Sequence, residues 1–202
     1  MKKVLSILIF FIIVSGSSVI YAAEKAPLGS GDVAIKVDYI DFTDHDMKIL
    51  DTNSGVFVGI EAYSEVPDVL EHLYVGLETG IASIDGDVRL NTGLGFLPVD
   101  TQATFVPIEL NLKYAIKITP EMAIDIGGGP SINYGKLEVG SFSKDDWMIG
   151  GQTFVDLSYK LGRFFAGING KYQIMQNFYV DSTDTDVSFR NLRVGGHIGI
   201  MF

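Results

Sequence analysis

The chain has no cysteine, one tryptophan and six prolines among its 202 residues, and it is short of positive charge, with 15 Lys and Arg against 25 Asp and Glu. Each shortage excludes something. Without cysteine there is no disulfide scaffold, no thiolate metal site and no lipid-modified thiol. A formal charge of −10 argues against a nucleic-acid binder, which needs clustered Lys and Arg to meet phosphates. Disorder is excluded as well, because 47% of the residues are hydrophobic and 11% aromatic. Beyond about residue 30 no apolar run approaches the roughly 20 residues that a membrane-crossing helix needs. The length fits one domain.

What is present begins with an address. Lys2 and Lys3 precede an apolar run from Val4 to Val14, broken only by Ser6, and small residues lead on to Ala23. That order is the pattern of a secretory signal peptide. The run covers about half of the roughly 20 residues required to span a bilayer. Residues 1–23 are therefore expected to be removed on export, leaving 24–202 as one barrel domain. Cleavage after Ala22 and after Ala23 both stay open. Loss of Lys2 and Lys3 makes the exported chain more acidic still.

The rest of the sequence has a period of two, and side chains two apart share one face of a strand. Val33, Ile35, Val37 and Tyr39 alternate with Ala34, Lys36, Asp38 and Ile40. The longest run sets Val106, Ile108, Leu110, Leu112, Tyr114, Ile116 and Ile118 against Phe105, Pro107, Glu109, Asn111, Lys113, Ala115 and Lys117. Eight such segments can be counted, the last ending at Phe202. In the fifth, Pro130 after three glycines predicts a local irregularity such as a bulge. The glycines lie inside a strand pattern, so close backbone packing is expected rather than a phosphate-cradling loop.

Connections alternate between long and short. Long polar loops are expected around residues 43–54, 85–103, 140–146 and 179–187. Tight links are expected at Pro67 to Glu71, Thr119 to Glu121 and Leu161 to Arg163. An up-and-down meander with all its long loops at one end is the pattern of an outer-membrane barrel, with both chain ends on the side of the short turns. A soluble barrel would alternate too, with its apolar face inside. Three features favour lipid: a nearly unbroken apolar face, a polar face rich in Gly, Ser and Asn, and strands of the roughly 10 residues needed to cross a bilayer at a tilt. Tyr39, Tyr114, Tyr134, Tyr159, Tyr172, Phe164 and Trp147 are candidates for interfacial aromatic girdles.

The export signal, the eight alternating segments and the ending NLRVGGHIGIMF together resemble the small bacterial outer-membrane barrels of the opacity and OmpX/OmpA-barrel type. The resemblance implies an all-β, eight-stranded antiparallel up-and-down transmembrane barrel in a Gram-negative outer membrane. It also implies that Phe202, with Ile200 and Ile198 at alternate positions before it, is the signal read by the barrel-assembly machinery. Outer-membrane lipid and lipopolysaccharide are the other implied partners. No cofactor is implied.

If the apolar face meets lipid, the inward set is Lys36, Asp38, Glu61, Glu78, Glu109, Lys113, Asp125, Asp156, Lys171, Arg193 and His197, together with Lys117 and Lys160. Its opposite charges are nearly balanced. Eight strands leave an interior just wide enough for side chains to fill, and an unpaired buried charge costs several kcal/mol in order of magnitude. A salt-bridged plug is expected, which argues against a general diffusion porin. Paired acids in such a lumen are expected for structure alone, and His197 reads as a hydrogen-bonded interior histidine rather than a general base. Lipid A deacylases of similar size use a His and a Ser together on the outer wall. No such pairing is found at His45 or His72.

Acidic residues also gather on the loops. Asp41, Asp44, Asp46 and Asp51 lie on or beside the first, and Asp181, Asp184 and Asp186 on the fourth. Closure of the barrel makes these loops neighbours. Solvated acidic loops are the expected reading, with Asp44, Asp46, Asp181 and Asp184 as the candidates for a hard-oxygen Ca²⁺ or Mg²⁺ site. The expected function is non-enzymatic: an envelope structural or surface-interaction protein with a plugged lumen. The alternatives are a narrow pore or small-solute transporter, and a lipid-modifying enzyme of the outer leaflet.

Overall fold

Strands form where the period of two places them, and several run further than expected. A computed structural model describes residues 29–202 other than 67, 92–95, 181–182 and 185–186. The expected signal segment, residues 1–23, lies outside the described residues, as do Pro67, Asp181 and Asp186. The elements are β1 (Gly31–Phe42), a short helix α1 (His45–Ile49), β2 (Ser54–Glu65), β3 (Leu73–Asn91), β4 (Phe96–Lys117), β5 (Met122–Val139), β6 (Phe142–Leu161) and β7 (Phe164–Met175). A two-residue pair, β8 (Tyr179–Val180) and β9 (Thr183–Asp184), precedes the last strand, β10 (Asn191–Met201).

Eight strands close into a barrel in the order β1-β10-β7-β6-β5-β4-β3-β2, and every pairing is antiparallel. Closure leaves no edge within the barrel wall, so backbone polar groups are satisfied between strands. Both β1 and β10 meet the rim that carries the short turns.

Two of the expected loops are strand instead. Residues 85–103 form a hairpin in which Asn91 faces Phe96 and pairing continues down to Leu73 and Tyr114. Residues 140–146 reduce to a two-residue turn at Gly140 and Ser141, with Val139 opposite Phe142. Gly140 has φ +58, a conformation a tight hairpin needs and a side chain resists. The expected bulge at Pro130 is absent. Glu109 faces Ser131 and Leu112 faces Gly128, so no residue is inserted, and the β4–β5 ladder only skips the pairs beside the proline. The glycines before it do serve close packing: a Cβ on Gly127 would stand 2.4 Å from the Phe154 ring.

A change of phase gives these segments the look of loops. Below a certain height the outward positions are apolar: Ile81 on β3, Val106 and Ile108 on β4, Ile132 and Tyr134 on β5, Trp147 and Ile149 on β6. One step higher on β3, β4 and β5 the outward residues are Ser83, Thr104 and Lys136, and the apolar side chains are inside as Ile84, Ala103 and Leu137. Alternation continues, but its sense inverts. A strand crossing from an apolar surrounding into water does this.

The interior consequently has layers. At the loop end Ile40, Phe42, Phe57, Ile84, Phe105 and Phe189 form the heart of an apolar cluster that Met47 of α1 closes. At the turn end a smaller cluster contains Ala34, Tyr63, Tyr74, Ala115, Phe154, Phe165 and Met201. Charged and amide side chains lie between and among them. The lumen is thus not polar throughout, as the alternation alone suggested.

Candidate functional site

All eleven residues of the expected lumen network are buried, and the register explains how strands far apart in sequence bring several of them to one height. Glu61 of β2 faces Glu78 of β3, which faces Glu109 of β4. Three carboxylates in a row need cations from across the barrel, and β1, β7 and β10 supply Lys36, Lys171 and Arg193. Lys36 Nζ lies 3.1 Å from Glu61 Oε2 and 3.2 Å from Glu78 Oε2. Lys171 Nζ is 2.6 Å from Glu78 and also pairs with Glu109. Arg193 Nη1 is 3.2 Å from Glu78 Oε1, and its Nη2 donates to Glu109 Oε1. Glu78, Lys171, Glu109 and Arg193 therefore form a ring in which each charge touches two of the opposite sign.

Nearer the turn end, Lys113 Nζ lies 3.0 Å from Asp32 Oδ2 and 3.8 Å from Asp125 Oδ2. Aromatic rings back the cations. The Arg193 guanidinium is 4.3 Å from the centre of the Phe57 ring, and Lys113 Nζ is 3.8 Å from that of Tyr63. On the loop side of the ionic ring Gln173 donates to Asn133 (2.8 Å) and Ser131 (3.1 Å), and Asn191 to Gln173 (3.3 Å), while Gln152 donates to Asn111 (2.6 Å), the next inward residue below Glu109 on β4. His197 shares a hydrogen bond of 3.2 Å with Ser158, deep in the barrel.

The expected charge balance does not hold. Lys117 is exposed and Lys160 is only part-buried, because both lie at the turn-end rim. Asp32, one residue ahead of the alternation as read from the sequence, is fully buried. Among the described residues the interior holds Lys36, Lys113, Lys171 and Arg193 against Asp32, Asp38, Glu61, Glu78, Glu109, Asp125 and Asp156. Acid is in excess. The surplus sits outside the ring, on Asp38, Asp156 and the Asp32–Lys113–Asp125 group. Asp32, Asp38, Asp125 and Asp156 each retain a buried oxygen with no hydrogen-bond partner among the described residues.

Other candidates separate. Asp44 caps α1, its side chain accepting from Asp46 N at 2.9 Å. The neighbouring Asp41 accepts from Asn53 (3.2 Å). Asp181 lies outside the described residues, and of Asp184 only the backbone, in β9, is described. Among the described residues no group of three or more acidic or His side chains is placed to hold a metal ion. The first and fourth loops do meet, Thr43 N donating to Arg190 O at 2.8 Å. His45 is exposed on α1, and His72 occupies the β2–β3 turn. Ile198 and Ile200 face outward, while Phe202 follows β10 at the turn-end rim.

The residues missed from sequence are Asp32, the aromatic backing and the apolar cap built on Phe42, Met47, Phe105, Phe178 and Phe189. The inversion of phase in β3 to β5 is the sequence signal for the cap.

No protein-family model matches the sequence, and no curated protein matches it. Solved structures do. The crystal structure of Neisserial surface protein A superposes with a TM-score of 0.60 at 11% identity, over 86% of this chain and 98% of that one. The N-terminal β-barrel domain of Pseudomonas aeruginosa OprF gives 0.49 at 12% identity, over 85% and 97%. Ail, the attachment invasion locus protein of Yersinia pestis, in complex with the heparin analogue sucrose octasulfate, gives 0.48 at 12%, over 86% and 99%. At such identities the likeness is one of fold: a closed eight-stranded, antiparallel, up-and-down barrel of the small outer-membrane type.

Proposed function

We propose that this barrel sits in a Gram-negative outer membrane as a non-enzymatic envelope protein that acts through its external surface, its lumen serving as a plug. The observation that carries this reading is the filled interior. An ionic ring and buried amide side chains lie between two apolar clusters, the upper one closed by Met47. The outward belt of Ile, Val and Leu supports contact with acyl chains, with Tyr39, Tyr134, Trp147 and Tyr172 towards the loop end and Tyr114, Tyr159 and Phe164 towards the turn end. Lipopolysaccharide is the outer-leaflet partner that this placement proposes, and the barrel-assembly machinery is the proposed reader of Ile198, Ile200 and Phe202. Export through a cleaved signal at residues 1–23 belongs to the same proposal, and the mass of the mature protein tests it.

Planar-bilayer recording tests the plug. The expected outcome is a bilayer without steady single-channel openings. Sustained conductance would overturn the plug in favour of a narrow pore, which the excess of interior carboxylates would make cation-selective. A lipid-modifying activity finds little support in the histidines: His45 is on α1, His72 in a turn and His197 inside the lumen with Ser158. Mass spectrometry of lipid A from cells with and without the protein should show one profile.

A further inference from the structure

Of the eight strand pairings, β1 with β10 is the one that no chain connection carries. Ser30 and Phe202, which meet there, are 172 residues apart. Closing so long a loop has the largest entropic cost of any pairing in the barrel, so this junction is where a closed wall should part most readily.

The junction ends in a dense set of contacts. The main-chain oxygen of Phe202 accepts from Ser30 N at 2.7 Å, from Ser30 Oγ at 2.7 Å and from Gly31 N at 3.1 Å, while Phe202 N donates to Gly31 O at 3.0 Å. The same segment is anchored on its other side. Glu65 N donates to Ser30 O at 2.9 Å, and the hydroxyl of buried Tyr74 donates to Gly29 O at 3.0 Å. Two glycines make the fit possible. Gly29 has φ +73, and a Cβ there would lie 2.7 Å from the Phe202 oxygen. A Cβ on Gly31 would lie 2.6 Å from the Phe202 ring and 2.7 Å from Tyr63 O, so the ring packs directly on bare backbone.

We propose that Gly29–Ser30–Gly31 is a seam latch, which grips Phe202 and fastens β10 to β2 and β3 so that the barrel does not open between its first and last strands. The latch concentrates its bonds at the rim, one step beyond the last β1–β10 pair, Asp32 with Met201. Met201 N in turn donates to Arg163 O in the β6–β7 turn at 2.8 Å, tying the end of β10 to its other neighbour.

Hydrogen–deuterium exchange on the folded full-length barrel in detergent tests this. Ser30→Ala should speed exchange at the Asp32–Lys36 and Ile198–Met201 amides about fivefold, the factor for one net hydrogen bond. Gly31→Val should speed it more, and amides of β4 and β5 should not change. Since the protein has no cysteine, a disulfide between Ile35→Cys and Ile198→Cys, opposite one another and both outward, can fasten the seam independently. Oxidised, it should restore slow exchange in Ser30→Ala; reduced, it should not. Unchanged seam exchange, equal acceleration in every strand, or no rescue by the disulfide would each overturn the latch. Should Gly31→Val not fold, Ser30→Ala with its rescue decides alone.

Discussion

At the scale of single residues the interior is governed by how much a buried charge costs when it loses its partner. Arg193 and Lys171 are each held by both Glu78 and Glu109. Removing one cation leaves carboxylates uncompensated, and breaking a buried pair typically costs about 3–5 kcal/mol. Arg193→Met should therefore lower stability by about that amount in urea titrations of the barrel in lipid vesicles, followed by the fluorescence of Trp147, the only tryptophan. The exposed pair Lys136–Glu138, at 3.0 Å with each side chain about a third accessible, is the control. Lys136→Ala should change stability by no more than about 1 kcal/mol, because solvent screens that pair. Equal losses in the two variants would show that the ring is not the main electrostatic support of the lumen.

At the scale of elements, the lengths of β3 to β6 and the small helix α1 belong to one arrangement. These strands rise past the level of Tyr39 and Tyr134, and β3 to β5 turn their apolar residues inward there and so require a cover, which Met47 and Leu50 of the first loop provide. Thr101 Oγ1 donates to Leu50 O at 2.7 Å, fixing the cover to β4. Met47→Ala should cost about 2–5 kcal/mol, the range for emptying a packed apolar site, and should open residues 43–53 to limited proteolysis. A variant that remains as resistant as the parent would contradict the cover. The inversion of phase gives a second test at this scale. Leu112 and Gln102 both face outward on β4, one in the middle of the outer apolar band and the other above the change. Leu112→Lys should reduce the fraction that folds into vesicles, given about 2–4 kcal/mol for a cation at the bilayer midplane. Gln102→Lys should fold like the parent.

At the scale of the whole molecule, closure turns eight marginal strands into one cooperative body. A barrel has no edge from which to fray, and here the interior is packed as well. The folded protein should resist SDS until heated, so that unboiled and boiled samples migrate differently on a gel. Identical migration would be inconsistent with a stable barrel. The same wholeness bears on charge: an acidic interior enclosed by apolar layers is acceptable only while those layers exclude solvent-driven rearrangement, which again makes Met47 and the seam the places where failure should begin.

Much of this architecture was legible in the sequence because the period of two is a local property. The direction of Ile35 or Lys36 follows from its neighbours alone, and eight such segments with alternating connections imply a meander. Which side chains face inward was accordingly readable from Lys36 to His197. Height was not readable. Alternation states the face of a residue but not its level along the barrel axis, and only the register of pairing brings Glu78, Glu109, Lys171 and Arg193 to one level while leaving Lys117 at the rim. The tertiary structure also decided where the loops end, because an inverted alternation above the outer apolar band looks polar on the expected face and so resembles a loop. Ser30 and Phe202 could meet only through closure, since contact between the two ends of a sequence depends on every strand between them.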